Sequence, residues 1–329
     1  MAYRSLTLQE TLEQLLVPAP TCVVFHRSPD GDAIGSAFAL AAFLREAGSP
    51  AYCLCADEIP ERLRFLTEGL QESVLVDTLP PEFEAARIVT VDTASPAQMG
   101  TLFERFGDRV SLMIDHHESG MPYADHLILP DAAACGEIVF DLIAASGKEA
   151  PDVCAKLLYA AISSDTGGFR YSNVTEATHL RAAALVKSGV DVAELSHLLF
   201  ESKSMAVLRA EHLGFERLHL FEGGKVGIST VSFEDKQFNK LKDEHLSTVV
   251  DVVRAVAGVM IAVAIRQPTE ERTFRVSMRA NGDFDVAAVC ATFGGGGHKR
   301  AAGATLIAKD AAEAEHLVLK AIKASSGLT

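Results

Sequence analysis

Two short stretches of this chain carry residue types that rarely occur together without chemistry. The first is His26-Arg27-Ser28-Pro29-Asp30-Gly31-Asp32, a histidine with carboxylates four and six positions on. The second is Asp115-His116-His117-Glu118, an adjacent pair of histidines directly after an aspartate. Imidazole nitrogens and carboxylate oxygens without thiolates are the donor set of a first-row divalent cation rather than of a structural zinc site. Asp92 and Asp165 add two further carboxylates in matching settings, before Thr93-Ala94-Ser95-Pro96 and Thr166-Gly167-Gly168. Together these residues supply enough nitrogen and oxygen ligands for two ions. A metal pair about 3.5–4 Å apart activates water and stabilises an in-line displacement at phosphorus. A lone Asp-Gly stretch after a histidine is also what a surface turn looks like, so each segment gains its meaning from the others.

A third stretch has a different character. Gly294-Gly295-Gly296-Gly297-His298-Lys299-Arg300-Ala301-Ala302-Gly303 joins a glycine run to a basic triplet. Successive glycines can turn backbone N–H groups inward around an anion, and the Lys-Arg-Ala-Ala run after them reads as the start of a helix whose N-terminus would add to the attraction. Thr273–Arg279 alternates strictly, so Arg275, Ser277 and Arg279 share one strand face and Phe274, Val276 and Met278 the other. A phosphate cradle fits this set better than a flexible linker does.

The elements that must hold these residues follow from periodicity. Thr21–Phe25, Ala51–Cys55, Ser73–Val76, Arg87–Val91 and Val110–Ile114 are short apolar runs of strand type. Helical patterns cover residues 5–17, 37–47, 152–162, 175–189 and 191–199. Strands alternating with helices imply a mostly parallel sheet covered on both faces, and such sheets place ligands outside the carboxyl ends of their strands. Nearly all of the candidate residues stand at those ends, Asp165 following the helical pattern at 152–162 instead. A helical connector is expected over residues 187–206, between a first domain at 1–186 and a second at 207–329. The second domain opens with a helix over Glu211–Leu218 and continues with strands at 225–231, 259–265 and 273–279 and helices at 249–256 and 286–293.

Charge is divided unevenly. The net charge is −14. Residues 1–186 contain 12 Lys+Arg against 26 Asp+Glu, whereas residues 187–329 contain 18 of each, so the whole excess lies in the first part. That distribution suits a metal site paired with an anion site and argues against a protein that coats duplex DNA. The chain opens without a cationic, apolar leader and contains no apolar stretch of membrane-spanning length, which makes a cytoplasmic protein the expectation, with no membrane partner. The six cysteines lie mostly in apolar segments without a Cys-x-x-Cys pair, as expected of reduced, buried thiols.

These motifs, taken together, resemble the DHH phosphoesterases, in particular the branch that carries a DHHA1 domain. His26-x-x-x-Asp30-x-Asp32 matches its first motif, Asp92 the second, Asp115-His116-His117 the third and Asp165 the fourth, and GGGGHKRAAG at 294–303 matches the DHHA1 signature. The resemblance covers essentially the whole chain. It implies an α/β fold: an N-terminal DHH domain whose mostly parallel β-sheet is flanked by helices, and a smaller C-terminal α/β DHHA1 domain. It further implies two divalent ions, Mn2+ first, with Mg2+ or Co2+ as alternatives. One would be held by His26, Asp30 and Asp92, the other by Asp32, Asp92, His116 and Asp165. Asp115 would orient the histidines and His117 would lie near the scissile phosphate. Arg275, Arg279, His298 and the amides of Gly295, Gly296 and Gly297 would hold the far end of the substrate.

Length, the SSDTGGFRYSN stretch at 163–173 and the GGGGH run are most similar to the nanoRNase and 3′-phosphoadenosine-5′-phosphate phosphatase members. The implied substrates are thus short single-stranded RNA or a small nucleotide, and the implied assembly is a homodimer. A cyclic- or linear-dinucleotide phosphodiesterase is the enzymatic alternative. A nucleotide-binding sensor without turnover is the alternative of another class.

Overall fold

A computed structural model describes residues 3–70, 79–80, 82–118 and 120–326. The expected strand at Ser73–Val76 lies outside them. The chain divides into two compact units, Met1–Ser202 and Lys203–Thr329.

Among the described residues, the first unit is built on five parallel strands: β1 (Thr21–Phe25), β2 (Ala51–Leu54), β3 (Arg87–Val91), β4 (Val110–Asp115) and β5 (Asp125–Ile128). They run in the order β2-β1-β3-β4-β5. Every residue of β1 and β3 is buried, as in parallel sheets covered on both faces. Register aligns the ends that matter. Phe25 stands opposite Val91, and Val91 opposite Ile114, so the residues after β1, β3 and β4 emerge along one edge. The chain reverses its winding between β1 and β3, and an open sheet of this order leaves its ligand crevice there.

Val23, Phe25, Val89, Val91, Leu112 and Ile114 face a core shared with helices α2 (Gly31–Glu46), α4 (Cys135–Ala145) and α5 (Asp152–Asp165). Cys22, Val24 and Ile88 face the other side, against Met99, Leu102 and Phe106. Two helices, α1 (Leu8–Leu16) and α3 (Leu102–Phe106), complete the layers with α6 (Glu176–Lys187) and α7 (Val192–Ser196). Leu195 of α7 and Leu199 just after it pack on this first core, so the expected connector is part of the first unit as far as Ser202.

Helix α2 begins six residues earlier than its apolar pattern suggested. Asp30 is its N-cap, accepting from the Asp32 and Ala33 amides, and the capping carboxylate together with an acidic first turn compensates for Gly31. The helix is buried over its whole circumference from Gly31 to Leu44, sandwiched between the sheet and α5. Such an approach needs glycine. A Cβ on Gly35 would lie 2.4 Å from the Leu157 carbonyl oxygen, and one on Gly31 would lie 2.5 Å from Ser164 Oγ.

In the second unit, strands β6 (Leu218–Phe221), β7 (Val226–Val231), β8 (Ile261–Arg266), β9 (Thr273–Ala280), β10 (Gly296–His298) and β11 (Ala301–Ile307) form one sheet in the order β10-β11-β9-β8-β7-β6. Only β7 and β8 pair in parallel. Phe274, Val276 and Met278 join Ile261, Val263 and Ile265 under α11 (Val286–Ala291) and α12 (Ala311–Ser326). Helices α8 (Met205–Glu216) and α10 (Val249–Arg254) pack on the opposite face over Ala262 and Ala264. A short helix, α9 (Phe233–Phe238), completes the unit. The opening helix, α8, starts at Met205 rather than Glu211. Among the described residues no helix is long and apolar enough to cross a membrane. All six cysteines are buried and none forms a disulfide.

Replacing Gly35 by alanine forces a side chain into the Leu157 carbonyl. We expect a loss of about 1–3 kcal/mol, the usual cost of overpacking, read as a lower urea midpoint at unchanged slope.

Candidate metal centre

Each strand end delivers its residue by a local device. After β1 the backbone turns through Ser28 in the left-handed region (φ 55°), a conformation held by Asp57 Oδ2, which accepts from the Ser28 amide at 2.8 Å. The Arg27 amide donates to the Gln98 carbonyl at 2.7 Å, tying the same turn to the segment after β3. Asp92, the first residue after β3, also has a left-handed backbone (φ 53°). Outside glycine that conformation costs on the order of 1–3 kcal/mol and persists where the surroundings impose it. At β4 the strand ends on Asp115, whose Oδ1 accepts from the His116 and His117 amides and lies 2.8 Å from His117 Nδ1. Asp165 is the last residue of α5 rather than a loop residue, because α5 continues three residues beyond its apolar pattern before Gly167 and Gly168 take positive φ.

These devices converge. The ligand atoms of His26, Asp30 and Asp92 lie within 4.8 Å of one another, and so do those of Asp32, Asp92 and His116. His26 Nε2 stands 3.7 Å from Asp30 Oδ1 and 3.5 Å from Asp92 Oδ2. His116 Nε2 stands 3.7 Å from Asp32 Oδ2, 3.6 Å from Asp92 Oδ1 and 3.4 Å from Asp165 Oδ2. All five separations exceed a hydrogen bond. At 3.4–3.7 Å they lie at or slightly beyond the spacing of about 3–3.5 Å between donors that surround one cation at about 2.0–2.2 Å. Asp92 Oδ1 is buried without a hydrogen-bond partner, an expensive arrangement unless something positive occupies the gap. On this donor chemistry the residues fit a divalent metal, with Asp92 turning one oxygen toward each histidine.

The electrostatics agree. Burial, with Asp92 adding to it, pushes the Asp32 carboxyl up to about 7. Burial and the neighbouring Asp32 carry Asp165 well above its ordinary value. Burial opposes protonation of His26 and His116, but the carboxylates around them outweigh it and hold both imidazoles well above 6.5. Asp92 moves the other way: burial raises it, yet His116 and His26 hold it well below 3.8. Asp32 is further pinned by the N-terminus of α4. Cys135 and Gly136 donate their amides to its two oxygens at 2.6 and 2.9 Å, and Ser36 Oγ donates at 2.8 Å.

The residues expected at the substrate end lie in the second unit. Arg279 and Ser277 are partly exposed and Arg275 is exposed on one face of β9, as their alternation predicts. Arg275 Nη1 is 3.2 Å from Asp243 Oδ2. The glycine run differs from expectation. No helix follows it. Gly296–His298 is a strand paired with Ala301–Gly303, and Lys299 and Arg300 form the turn between them. The Gly294 and Gly295 amides donate to the Ala291 and Cys290 carbonyls at the end of α11. A Cβ on Gly295 would meet the Gly303 carbonyl oxygen at 2.2 Å, and one on Gly297 the Ala301 oxygen at 2.6 Å. Close backbone approach within a hairpin therefore accounts for these two glycines.

Residue types alone did not mark Asp57, Gln98 or the 135–136 amides. Their part is to hold ligands, and backbone or second-layer partners leave no spacing signal.

Comparison with known proteins bears on the same residues. The DHH family N-terminal domain model matches residues 20–162 and the DHHA1 domain model matches 223–324. The chain is 33% identical to the bifunctional oligoribonuclease and PAP phosphatase NrnA of Thermus thermophilus, over 93% of this chain and 90% of that one. It is 29% identical to the protein of the same description from Bacillus subtilis, over 88% and 91%. An exopolyphosphatase-related protein from Bacteroides fragilis has the same fold, at TM-score 0.86 and 22% identity over 96% of this chain and 95% of that one.

Asp32, Asp165, His26 and His116 bind protons more tightly folded than unfolded. Each therefore stabilises the metal-free fold at low pH and ceases to do so as the pH rises through its folded value. Asp92 acts oppositely, but its contribution is lost only below pH 3.8. The metal-free protein should lose stability as the pH is raised from about 5 to 8. Over the same range Mn2+ affinity should increase, because the ligands must shed protons to bind. Urea unfolding with and without Mn2+ at several pH values checks both slopes.

Proposed function

Because the chain belongs to the DHH family of metal-dependent phosphoester hydrolases, with a DHHA1 domain after its DHH domain, we propose that it cleaves very short oligoribonucleotides to mononucleotides and 3′-phosphoadenosine-5′-phosphate to AMP. The observation that carries this reading is the Asp92 carboxylate, which faces His26 with one oxygen and His116 with the other. A carboxylate so placed could contribute an oxygen to each of two cations. His26, Asp30 and Asp92 would hold one ion, and Asp32, Asp92, His116 and Asp165 the other, with Mn2+ the metal we assign. When bound, such a pair supplies an activated water and neutralises charge developing on the phosphoryl oxygens.

The protein's own groups then have definite tasks. Asp115 Oδ1 accepts the Nδ1 proton of His117, which fixes the ring. Burial lowers the proton affinity of His117, but Asp115 and Asp92 reverse this and raise its pKa. That shift favours the protonated imidazole, the form in which His117 could donate to the leaving oxygen. Arg279, Arg275 and His298 are assigned to the terminal nucleotide or far phosphate. Short substrates are favoured on two grounds. The relatives named as oligoribonucleases and PAP phosphatases align over nine-tenths of their length. The −14 charge disfavours the extended phosphate contacts that long RNA needs.

Turnover is measured with Mn2+ on RNA dinucleotides, on longer RNA and on 3′-phosphoadenosine-5′-phosphate, each against an EDTA control. Cleavage of the short substrates, abolished by EDTA and weak on long RNA, is the expected result. Preference for long RNA, or full activity in EDTA, would overturn the proposal. In the same assay His117→Ala should lower kcat roughly 10²–10⁴-fold while Mn2+ binding persists. Asp92→Ala should lose both Mn2+ binding and turnover.

A further inference from the structure

The segment 132–136 touches two of the proposed ligands and is linked to a third through Asn173. Its Cys135 and Gly136 amides hold Asp32. The Ala132 carbonyl oxygen lies 3.2 Å from His116 Nδ1 and so fixes that ring's orientation. The Ala133 carbonyl accepts from Asn173 Nδ2 at 2.9 Å, and the same Asn173 amide donates to the Asp165 carbonyl at 3.1 Å. The segment is therefore hydrogen-bonded directly to Asp32 and His116, and through Asn173 to the Asp165 backbone.

Yet the segment has no anchor of the usual kind. Helix α4 starts after Ala134, which has no side chain able to cap it. Glu137 takes that place, reaching back from the first turn so that its Oε2 accepts the Ala133 amide at 3.2 Å. Glu137 is 2% exposed, and a carboxylate so buried needs a counter-charge. Arg181, from α6, supplies it. Its Nη1 lies 3.3 Å from Glu137 Oε2, while its Nε and Nη2 donate to the two oxygens of Asp141 at 2.9 and 2.5 Å. One planar guanidinium thus spans two successive turns of α4, a geometry a lysine cannot reproduce. The same helix reaches the Asp165 side as well: His179 stacks on Phe169 at 5.6 Å with the rings 23° apart.

We propose that α6 is the brace of the metal centre, and that Arg181, through Glu137 and the 132–136 segment, is a positioning residue that sets the coordination geometry while contributing no ligand. The inference rests on the metal-centre reading above.

The test is Mn2+ binding to the metal-free protein by isothermal titration calorimetry, paired with urea unfolding without metal, for the wild type and for Arg181→Gln, Arg181→Lys and Arg87→Gln. Arg87 is a more deeply buried guanidinium of the same unit, at the opposite end of β3, donating to the Gln14 and Val17 carbonyls and to Thr21. Arg181→Gln should weaken Mn2+ binding roughly 10- to 100-fold, and Arg181→Lys should recover only part of that. Arg87→Gln should lose stability and keep its affinity. Wild-type affinity in Arg181→Gln, or an equal loss of affinity in Arg87→Gln, would overturn the brace while leaving the metal centre standing. Absence of Mn2+ binding by the wild type would overturn the metal centre and the brace with it. Should Arg181→Gln not fold, Arg181→Lys is read by the same criteria.

Discussion

Negative charge gathered at one edge of one sheet is the constraint around which the first unit is organised. Asp32, Asp92 and Asp115 are buried there, with Asp30 and Asp165 partly so. Like charges at such spacing in a low-dielectric setting are costly. The chain meets the cost with protons on some groups, with imidazoles between the carboxylates and with backbone amides aimed at particular oxygens. Helix N-termini do much of this. The start of α2 is capped by Asp30, and the start of α4 grips Asp32. A divalent cation resolves the remaining repulsion, and for that reason the site reads as a metal centre rather than as a set of ordinary ion pairs.

That arrangement constrains everything behind it. For α2 to carry Asp30 and Asp32 to the edge, it must run through the middle of the domain, and Gly31 and Gly35 allow α5 to lie directly against it. Helix α5 in turn brings Asp165 to the same edge from the other side. Catalytic geometry and core packing are therefore one problem here, and a change in helix separation is felt by the ligands.

The second unit is organised by a different economy. Its sheet buries Phe274, Val276 and Met278 on one face, so the alternating Arg275, Ser277 and Arg279 are displayed on the other. The glycine run that resembles an anion nest is for the most part a device for close strand pairing, in which carbonyl oxygens occupy the space that side chains would need. Backbone proximity and anion binding call for the same residue, so the sequence could not separate them.

What the sequence alone determined was the chemistry. Histidine and aspartate types, their positions after apolar β-branched runs, and the uneven distribution of charge were enough to place clustered carboxylates and imidazoles at strand ends and the arginine-bearing face of Thr273–Arg279. Period-2 and helical patterns are local, so strands β1 to β4 and the face of β9 were readable. Tertiary structure decided which oxygen faces which nitrogen. It made Asp30 a helix cap, continued α5 to Asp165, split the Lys-Arg-Ala-Ala run between a hairpin turn and the start of β11, and recruited Glu137, Arg181, Asp57 and the 135–136 amides. Those outcomes depend on long-range contacts between elements far apart in the chain, and on backbone groups that every residue shares. Neither leaves a periodic or compositional trace.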